Sequence, residues 1–470
     1  MHQKMMNPRT KVDRATKQRV IGLMQGAAVG DALGAPFEFK PRGTYSNRFP
    51  VPHIGGTGEM IGGGSFQWAP GEFTDDTQMG LALAWALLQA QAYDADTVWT
   101  WFRAWSATAK DIGVTTSSAL WHTDWHDVPE GSLSPANGAL MRVFPMALAF
   151  LDASDEVVED IVLGQAALTH KHPAAGWGAW IAVEMMRRAV KGDDPLAAIP
   201  LLLSRLPSDV RGRFEQMLSP DWSPDTDDTS NGNVWGCLAQ AVWCLRTTHS
   251  YEGAVTAAVR LGADADTVAC VTGALAGARY GVQSIPSRWA TYVHGTLDSP
   301  RGTLVHRASD LQQLALRLIG VADHDETPPE YPAGPTEVAP GLFAADLLGA
   351  ATVPTDWGVV SLCRTGDRFL QHPVRRQLFL IDEDASHNPG LAFVLDDAVD
   401  AVQAFLAEGH NVVVHCHGGR SRTGLVLKAW KMRTDHLTER EAHDWLTSCW
   451  PRYQDYNHSF VDHLRTLEER

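Results

Sequence analysis

The segment Asp323-His-Asp-Glu-Thr-Pro-Pro-Glu-Tyr-Pro-Ala-Gly-Pro335 divides this chain into two parts with different apolar periods. It is rich in proline and acid and carries no apolar repeat, so it reads as an extended linker. Upstream, residues 15–320 show helical spacing almost throughout, with Ile21, Met24, Ala28 and Ala32 on one face. Gly26 and Gly30 on that helix permit close approach of a neighbour. Further helices are expected over 80–92, 137–151, 176–190, 234–245 and 268–279, with no convincing strand alternation. Downstream, buried strands are expected over 359–362, 377–381 and 412–414, and helices over 395–408 and 439–450. The expected organisation is a mobile N-terminus (1–14), an all-α domain (15–320), a linker (321–335) and an α/β domain (336–470).

A chain of 470 residues exceeds one core, which agrees with two domains. A net charge of -16 argues against bulk nucleic-acid binding or an anionic membrane surface. No uninterrupted apolar run reaches about 18 residues, so no membrane span is expected. The N-terminus is basic but lacks an apolar core for secretion. The six cysteines form no C-x-x-C pair, which points to a reducing cytoplasm.

Within the second domain, His415-Cys416-His417-Gly418-Gly419-Arg420-Ser421-Arg422-Thr423-Gly424 lies between an apolar run and a helix-like run. At a strand-to-helix junction, successive backbone N–H groups and the positive helix end can surround a phosphate. The same field stabilises a thiolate at Cys416. Arg422 can grip two phosphate oxygens, Thr423 can ease departure of the sulfur, and His415 can orient the loop. A chance cysteine in a turn and a rhodanese-like sulfur carrier are the competing readings.

This decapeptide resembles the tyrosine and dual-specificity phosphatase signature, with every fixed position occupied. The resemblance implies nucleophilic attack by Cys416 through a phosphocysteine, with residues His417 to Thr423 holding the phosphate. Asp382 is the first choice for general acid and Asp384 the second, since both follow an expected strand. The tryptophan-proline-aspartate triplet of large tyrosine phosphatases is missing, so the domain looks closer to the compact dual-specificity type. His417 and Arg420 add positive potential that favours strongly anionic phosphate monoesters.

The first domain carries two acidic clusters, Thr74-Asp75-Asp76-Thr77 and Asp264-Ala-Asp266-Thr267, each opening an expected helix. Taken singly, each is explained as a helix cap. Taken together, four carboxylates and two threonine hydroxyls form a hard-oxygen set suited to Mg²⁺, Mn²⁺ or Ca²⁺. If the helix ends converge, like-charge repulsion calls for cations between them.

The stretch from Gly26 to Glu38, with Gly71 to Met79, Asp111 to Thr116, Asn137 to Arg142, Thr169-His170, Leu261 to Thr267 and Gly273 to Gly281, is similar in order to the ADP-ribosylglycohydrolase family. That resemblance implies an all-α fold with a binuclear Mg²⁺ site, Mn²⁺ being an alternative. Thr74, Asp75, Asp76, Asp264, Asp266 and Thr267 would be the ligands. Asn137, Gly138 and His170 would line the ADP-ribose cleft, and Glu38 and Asp111 would transfer protons, although a helix cap and a core histidine are the plain readings of Asp111 and His170. The expected function is therefore a bifunctional hydrolase, removing ADP-ribose from protein or nucleic acid, with arginine linkages favoured, and hydrolysing phosphate monoesters. The alternative is an ADP-ribose-binding module that targets the phosphatase to modified partners.

Overall fold

The structure, a computed structural model, describes residues 3–4, 12–129, 134–321 and 332–468. Most of the expected linker (322–331) and of the expected mobile N-terminus (1–2 and 5–11) lies outside the described residues. Gln3–Lys4 pair antiparallel with Ala92–Tyr93. The chain forms two compact units. The first comprises Met1–Val51, Met60–Ile285 and Tyr292–Asp323; the second comprises Pro52–Glu59, Pro286–Thr291 and His324–Arg470.

The first unit is helical. Its central helix α1 (Arg14–Gly34) packs on α2 (Asp75–Ala90), α5 (Pro173–Lys191) and α7 (Ala265–Tyr280), and the same unit includes α3 (Val114–Leu120), α4 (Gly138–Met141) and α6 (Val234–Thr247). Glycines at every fourth position of α1 meet the backbone of α7. A Cβ on Gly26 would lie 2.3 Å from the Gly273 oxygen, one on Gly30 2.0 Å from the Ala269 oxygen, and one on Gly34 2.4 Å from the Asp266 Cα. The two helices therefore run antiparallel at backbone contact, and only glycine fits at these crossings. That contact brings the C-terminal end of α1 to the N-terminal end of α7. Among the described residues one helical stretch, Arg14–Phe37, is apolar and long enough to cross a membrane, and its most apolar 18-residue window is buried in this unit.

Two expectations for this unit need correction. The helix expected over 137–151 breaks after Met141 and restarts as Phe144–Ala149, because Pro145 is accommodated only in a first helical turn. A hairpin of β1 (His294–Ser299) and β2 (Gly302–Arg307) also occurs, where no strand was expected. Its alternation is blurred by exposed polar positions on both strands.

The second unit contains a five-stranded sheet of β3 (Thr336–Ala339), β4 (Leu342–Asp346), β5 (Gly358–Ser361), β6 (Arg375–Gln377) and β7 (Val412–Cys416). The order is β3-β4-β7-β5-β6, with β3 antiparallel to β4 and the other pairs parallel. Helices α8 (Leu391–Ala407), α9 (Ser421–Asp435), α10 (Glu439–Cys449) and α11 (His458–Leu467) complete it. The strand expected over 377–381 ends at Gln377. After Leu378 donates its N–H to Ser361, the chain leaves the ladder to form a loop. Central β7 is buried at every position, as a parallel core strand covered on both faces should be.

Candidate active sites

In the helical unit, α2 and α7 each begin with the acids singled out in the sequence. Thr74 is the N-cap of α2, its hydroxyl accepting from the Asp76 N–H. Asp264 occupies the same position on α7 but makes no capping bond. Its Oδ2 instead accepts from the Asn137 amide at 2.7 Å, and Asn137 also donates to the Asn231 carbonyl at 2.9 Å. The plain capping explanation thus holds for Thr74 and fails for Asp264.

Carboxylate oxygens of Glu38, Asp264 and Asp266 lie within 4.8 Å of one another. Asp75, Asp76, Asp266 and Thr267 are buried, and Asp75 and Asp76 feel the charges of Asp31 and Asp264, as Asp266 feels those of Asp76 and Glu38. Burial, reinforced by the Asp111 charge, pushes the Glu38 carboxyl up to about 9. Burial is also the leading cause that pushes Asp111 up to about 6 and holds Asp75, Asp76 and Asp266 well above the carboxylate range. Glu38 Oε2 and Asp76 Oδ1 are buried with no hydrogen-bond partner among the described residues. Buried oxygens left unpaired in a crowd of like charges fit a divalent cation, which supplies the missing electrophile.

Asp31 was not assigned a role from the sequence, yet it organises this site. It is fully buried on α1, and burial pushes it up to about 6. Its Oδ1 accepts the Thr74 N–H at 2.9 Å, and its Oδ2 accepts the Thr77 N–H at 3.0 Å. It thereby caps the first turn of α2 from another helix. Helical spacing alone marks Asp31 only as a polar residue on an apolar face. Asn137 and Gly138 sit beside Asp264, and His170 lies behind Gly138.

In the sheet unit, Cys416 ends β7 and α9 starts at Ser421, so the loop 417–420 joins a buried strand to a helix N-terminus. Gly419 has φ +65°, and a Cβ there would lie 2.9 Å from the Ala345 oxygen, which explains the glycine. The Gly419 carbonyl accepts from Trp450 Nε1 at 2.7 Å and the Gly418 carbonyl from Arg452 Nε at 3.2 Å. These bonds keep two anion-repelling oxygens engaged elsewhere. His415 is fully buried with Nε2 2.7 Å from Ser361 Oγ, and burial lowers it to about 3, so it is neutral.

Arg422 Nη1 donates to the Leu362 and Leu380 carbonyls at 3.1 and 3.3 Å. Its Nε lies 3.8 Å from Asp382 Oδ2. Tyr456 OH donates to Asp382 Oδ2 at 2.7 Å and Asn457 Nδ2 to Oδ1 at 3.2 Å. Asp384 instead caps the exposed turn Ala385–His387 by accepting from the Ser386 N–H. Of the two candidate acids, Asp382 therefore faces the arginine. The Thr423 hydroxyl is buried with no partner among the described residues. His417 and Gly418 are half-buried and Arg420 is exposed at the loop. Sequence reasoning passed over Ser361, Trp450, Arg452, Tyr456 and Asn457, because they reach the loop only through the fold. A second acidic group, Glu439, His443 and Asp455, already has a cation in Lys428, whose Nζ lies 2.6 Å from Glu439 Oε1.

Comparison with known proteins follows the same division. A profile described as ADP-ribosylglycohydrolase matches residues 13–328. One described as dual specificity phosphatase, catalytic domain, matches residues 359–470. The ADP-ribosyl-(dinitrogen reductase) glycohydrolase of Rhodospirillum rubrum is 31% identical over 276 residues, which cover 58% of this chain and 88% of that protein. The ADP-ribosylarginine hydrolase Tri1 of Pseudomonas putida (strain GB-1) is 30% identical over 337 residues, covering 67% and 84% respectively. A solved structure described as an ADP-ribosylglycohydrolase-related protein complex superposes with a TM-score of 0.54 at 30% identity, covering 65% of this chain and 99% of that one.

Proposed function

The chain belongs to the ADP-ribosylglycohydrolase family and carries a dual-specificity phosphatase domain behind it, and on that premise we propose that it removes arginine-linked ADP-ribose with the aid of Mg²⁺ and separately hydrolyses phosphate monoesters through a phosphocysteine. Support for a cation comes first from the meeting of Glu38, Asp264 and Asp266 with the unpaired oxygens of Glu38 and Asp76. Thr74, Asp75, Asp76, Asp264, Asp266 and Thr267 would hold two Mg²⁺ ions, with Mn²⁺ as the alternative. Such ions, when bound, neutralise the carboxylates and polarise vicinal sugar hydroxyls.

The chain's own residues do the rest. Asn137 holds Asp264 in place, and Asp31 holds the start of α2. Asp31 is occupied in capping α2, which leaves Glu38 and Asp111 as the carboxylates of this cluster outside the two helix starts. They share the proton transfers, one taking a proton from water and the other giving one to the departing nitrogen. The arginine linkage is favoured by the relative named as an ADP-ribosylarginine hydrolase.

In the phosphatase domain the Cys416 sulfur attacks phosphorus in line, forming an S–P bond as the ester P–O bond breaks. Arg422 and the loop N–H groups bind the phosphoryl oxygens, and Asp382 protonates the leaving oxygen. Water then hydrolyses the phosphocysteine, with Thr423 donating to the departing sulfur.

The decisive experiment is mass spectrometry of the products from arginine-, serine- and nucleic-acid-linked ADP-ribose with added Mg²⁺. Release from the arginine linkage is expected. Asp264→Ala should remove cation binding and release together, whereas a fully active variant refutes the ligand set.

A further inference from the structure

The segment between α10 and α11 touches both moving parts of the phosphatase reaction. Its Trp450 and Arg452 donate to the Gly419 and Gly418 carbonyls of the cysteine loop. A Cβ on Gly424 would fall 2.4 Å from Tyr453 Cε2, so the segment is also seated on the start of α9. Tyr456 and Asn457, at its end, reach Asp382.

The backbone on either side of Asp382 is fixed without Tyr456. Asn388 Oδ1 accepts the Ile381 N–H at 3.0 Å, and Asn388 Nδ2 donates to the Ile381 carbonyl at 2.8 Å. Asn457 Nδ2 donates to the Glu383 carbonyl at 3.0 Å. These bonds leave rotation of the Asp382 side chain open. Tyr456 OH on Oδ2, at 2.7 Å, and Asn457 Nδ2 on Oδ1, at 3.2 Å, set that rotation.

The two donors differ in kind. An amide N–H can only donate, so it favours Oδ1 as the oxygen that stays unprotonated. A phenol can donate or accept, and its O–H turns to suit either state of the oxygen beside it. Partial burial, and then the bond to Asp382, pushes the Tyr456 phenol up, so it keeps its proton and donates to the carboxylate. Oδ2 is also the oxygen 3.8 Å from Arg422 Nε, on the side chain that grips phosphate.

We propose that Tyr456 is a positioning residue that makes Oδ2 the proton-delivering oxygen of Asp382, donating to it as a carboxylate and turning away when it is protonated. The proposal rests on the phosphocysteine reading with Asp382 as the acid. Oδ2–H gives its proton to the leaving oxygen as the P–O bond breaks. The carboxylate takes one back from the water that cleaves the S–P bond, and Tyr456 keeps its own throughout.

The test is kcat/KM of the full-length protein on phenyl phosphate, a poor leaving group, and on p-nitrophenyl phosphate, an activated one. Tyr456→Phe should lower the phenyl phosphate value about tenfold, the scale of one lost hydrogen bond, and barely change the other. In an Asp382→Asn background the same substitution should lower neither value further, because no proton is left to aim. Tyr456 is 53% exposed, so its thermal melt should stay close to wild type. Equal losses on both esters, a further loss on top of Asp382→Asn, or a wild-type rate in Tyr456→Phe would each overturn the proposal. Selective loss in Asp382→Asn without selective loss in Tyr456→Phe removes the proposal and spares the acid assignment. If Asp382→Asn itself falls equally on both esters, the acid assignment and the proposal fail together.

Discussion

Cys416, Arg422 and Asp382 illustrate how a few side chains divide one reaction. In the proposed phosphocysteine route the sulfur bonds to phosphorus, so Cys416→Ser should abolish phosphatase turnover while ADP-ribose release continues. Joint loss of both activities would contradict the division of labour. Asp382 is clamped by Tyr456 and Asn457 from the segment before α11. A general acid matters most when the leaving group is poor. Asp382→Asn should therefore cut turnover of alkyl phosphates by about 10²–10⁴-fold, and that of activated aryl phosphates far less. Steady-state rates across a leaving-group series measure the difference. Equal losses throughout the series would move the acid role elsewhere.

At the scale of elements, the glycines of α1 decide whether the carboxylate cluster exists. Backbone contact with α7 puts Gly34 against Asp266, and the short turn after α1 then delivers Glu38 to Asp264 and Asp266. Gly30→Val would drive a side chain into the Ala269 carbonyl. The expected loss is more than about 3 kcal/mol, since backbone cannot yield as a flexible side chain does. Thermal melts should show a clear fall in Tm together with weaker cation binding. The helical repeat and the strand–helix alternation were legible in the sequence because burial imposes them locally. The break at Arg142, the hairpin and the early end of β6 were not, since each answers to a proline, a half-exposed surface or a ladder partner elsewhere.

At the scale of the whole molecule, neither unit is a single run of chain. Buried Arg376 donates to the carbonyls of Ile54 and Gly56, and Asp397 accepts from the Ser287 N–H at 2.7 Å, all inside the second unit. A fragment covering only 332–470 lacks these partners. It should unfold at markedly lower denaturant than the phosphatase in the full chain, as followed by fluorescence and activity.

The first unit has a pH dependence of its own. Burial raises Asp31 and Asp111 to about 6 and Glu38 to about 9. Carboxyls raised in the folded state hold protons that the unfolded chain releases. Stability from these groups is complete below the ordinary carboxylate pKa and is lost as pH rises through about 6 and then about 9. On the proposed cation reading, added Mg²⁺ would replace those protons. Its increment in Tm should be larger at pH 8 than at pH 5, and an increment independent of pH would separate the cation from the cluster.

By itself the sequence determined the helical and α/β characters, the acids at two helix starts and the cysteine loop. Each depends on apolar period or on residues adjacent in the chain. Tertiary structure alone decided that Asp31 caps a helix other than its own, that Asp382 rather than Asp384 faces Arg422, and that buried Arg142 reaches across to Gln165 and Thr169. These outcomes depend on distances between residues dozens of positions apart, and local periodicity contains no information about such distances.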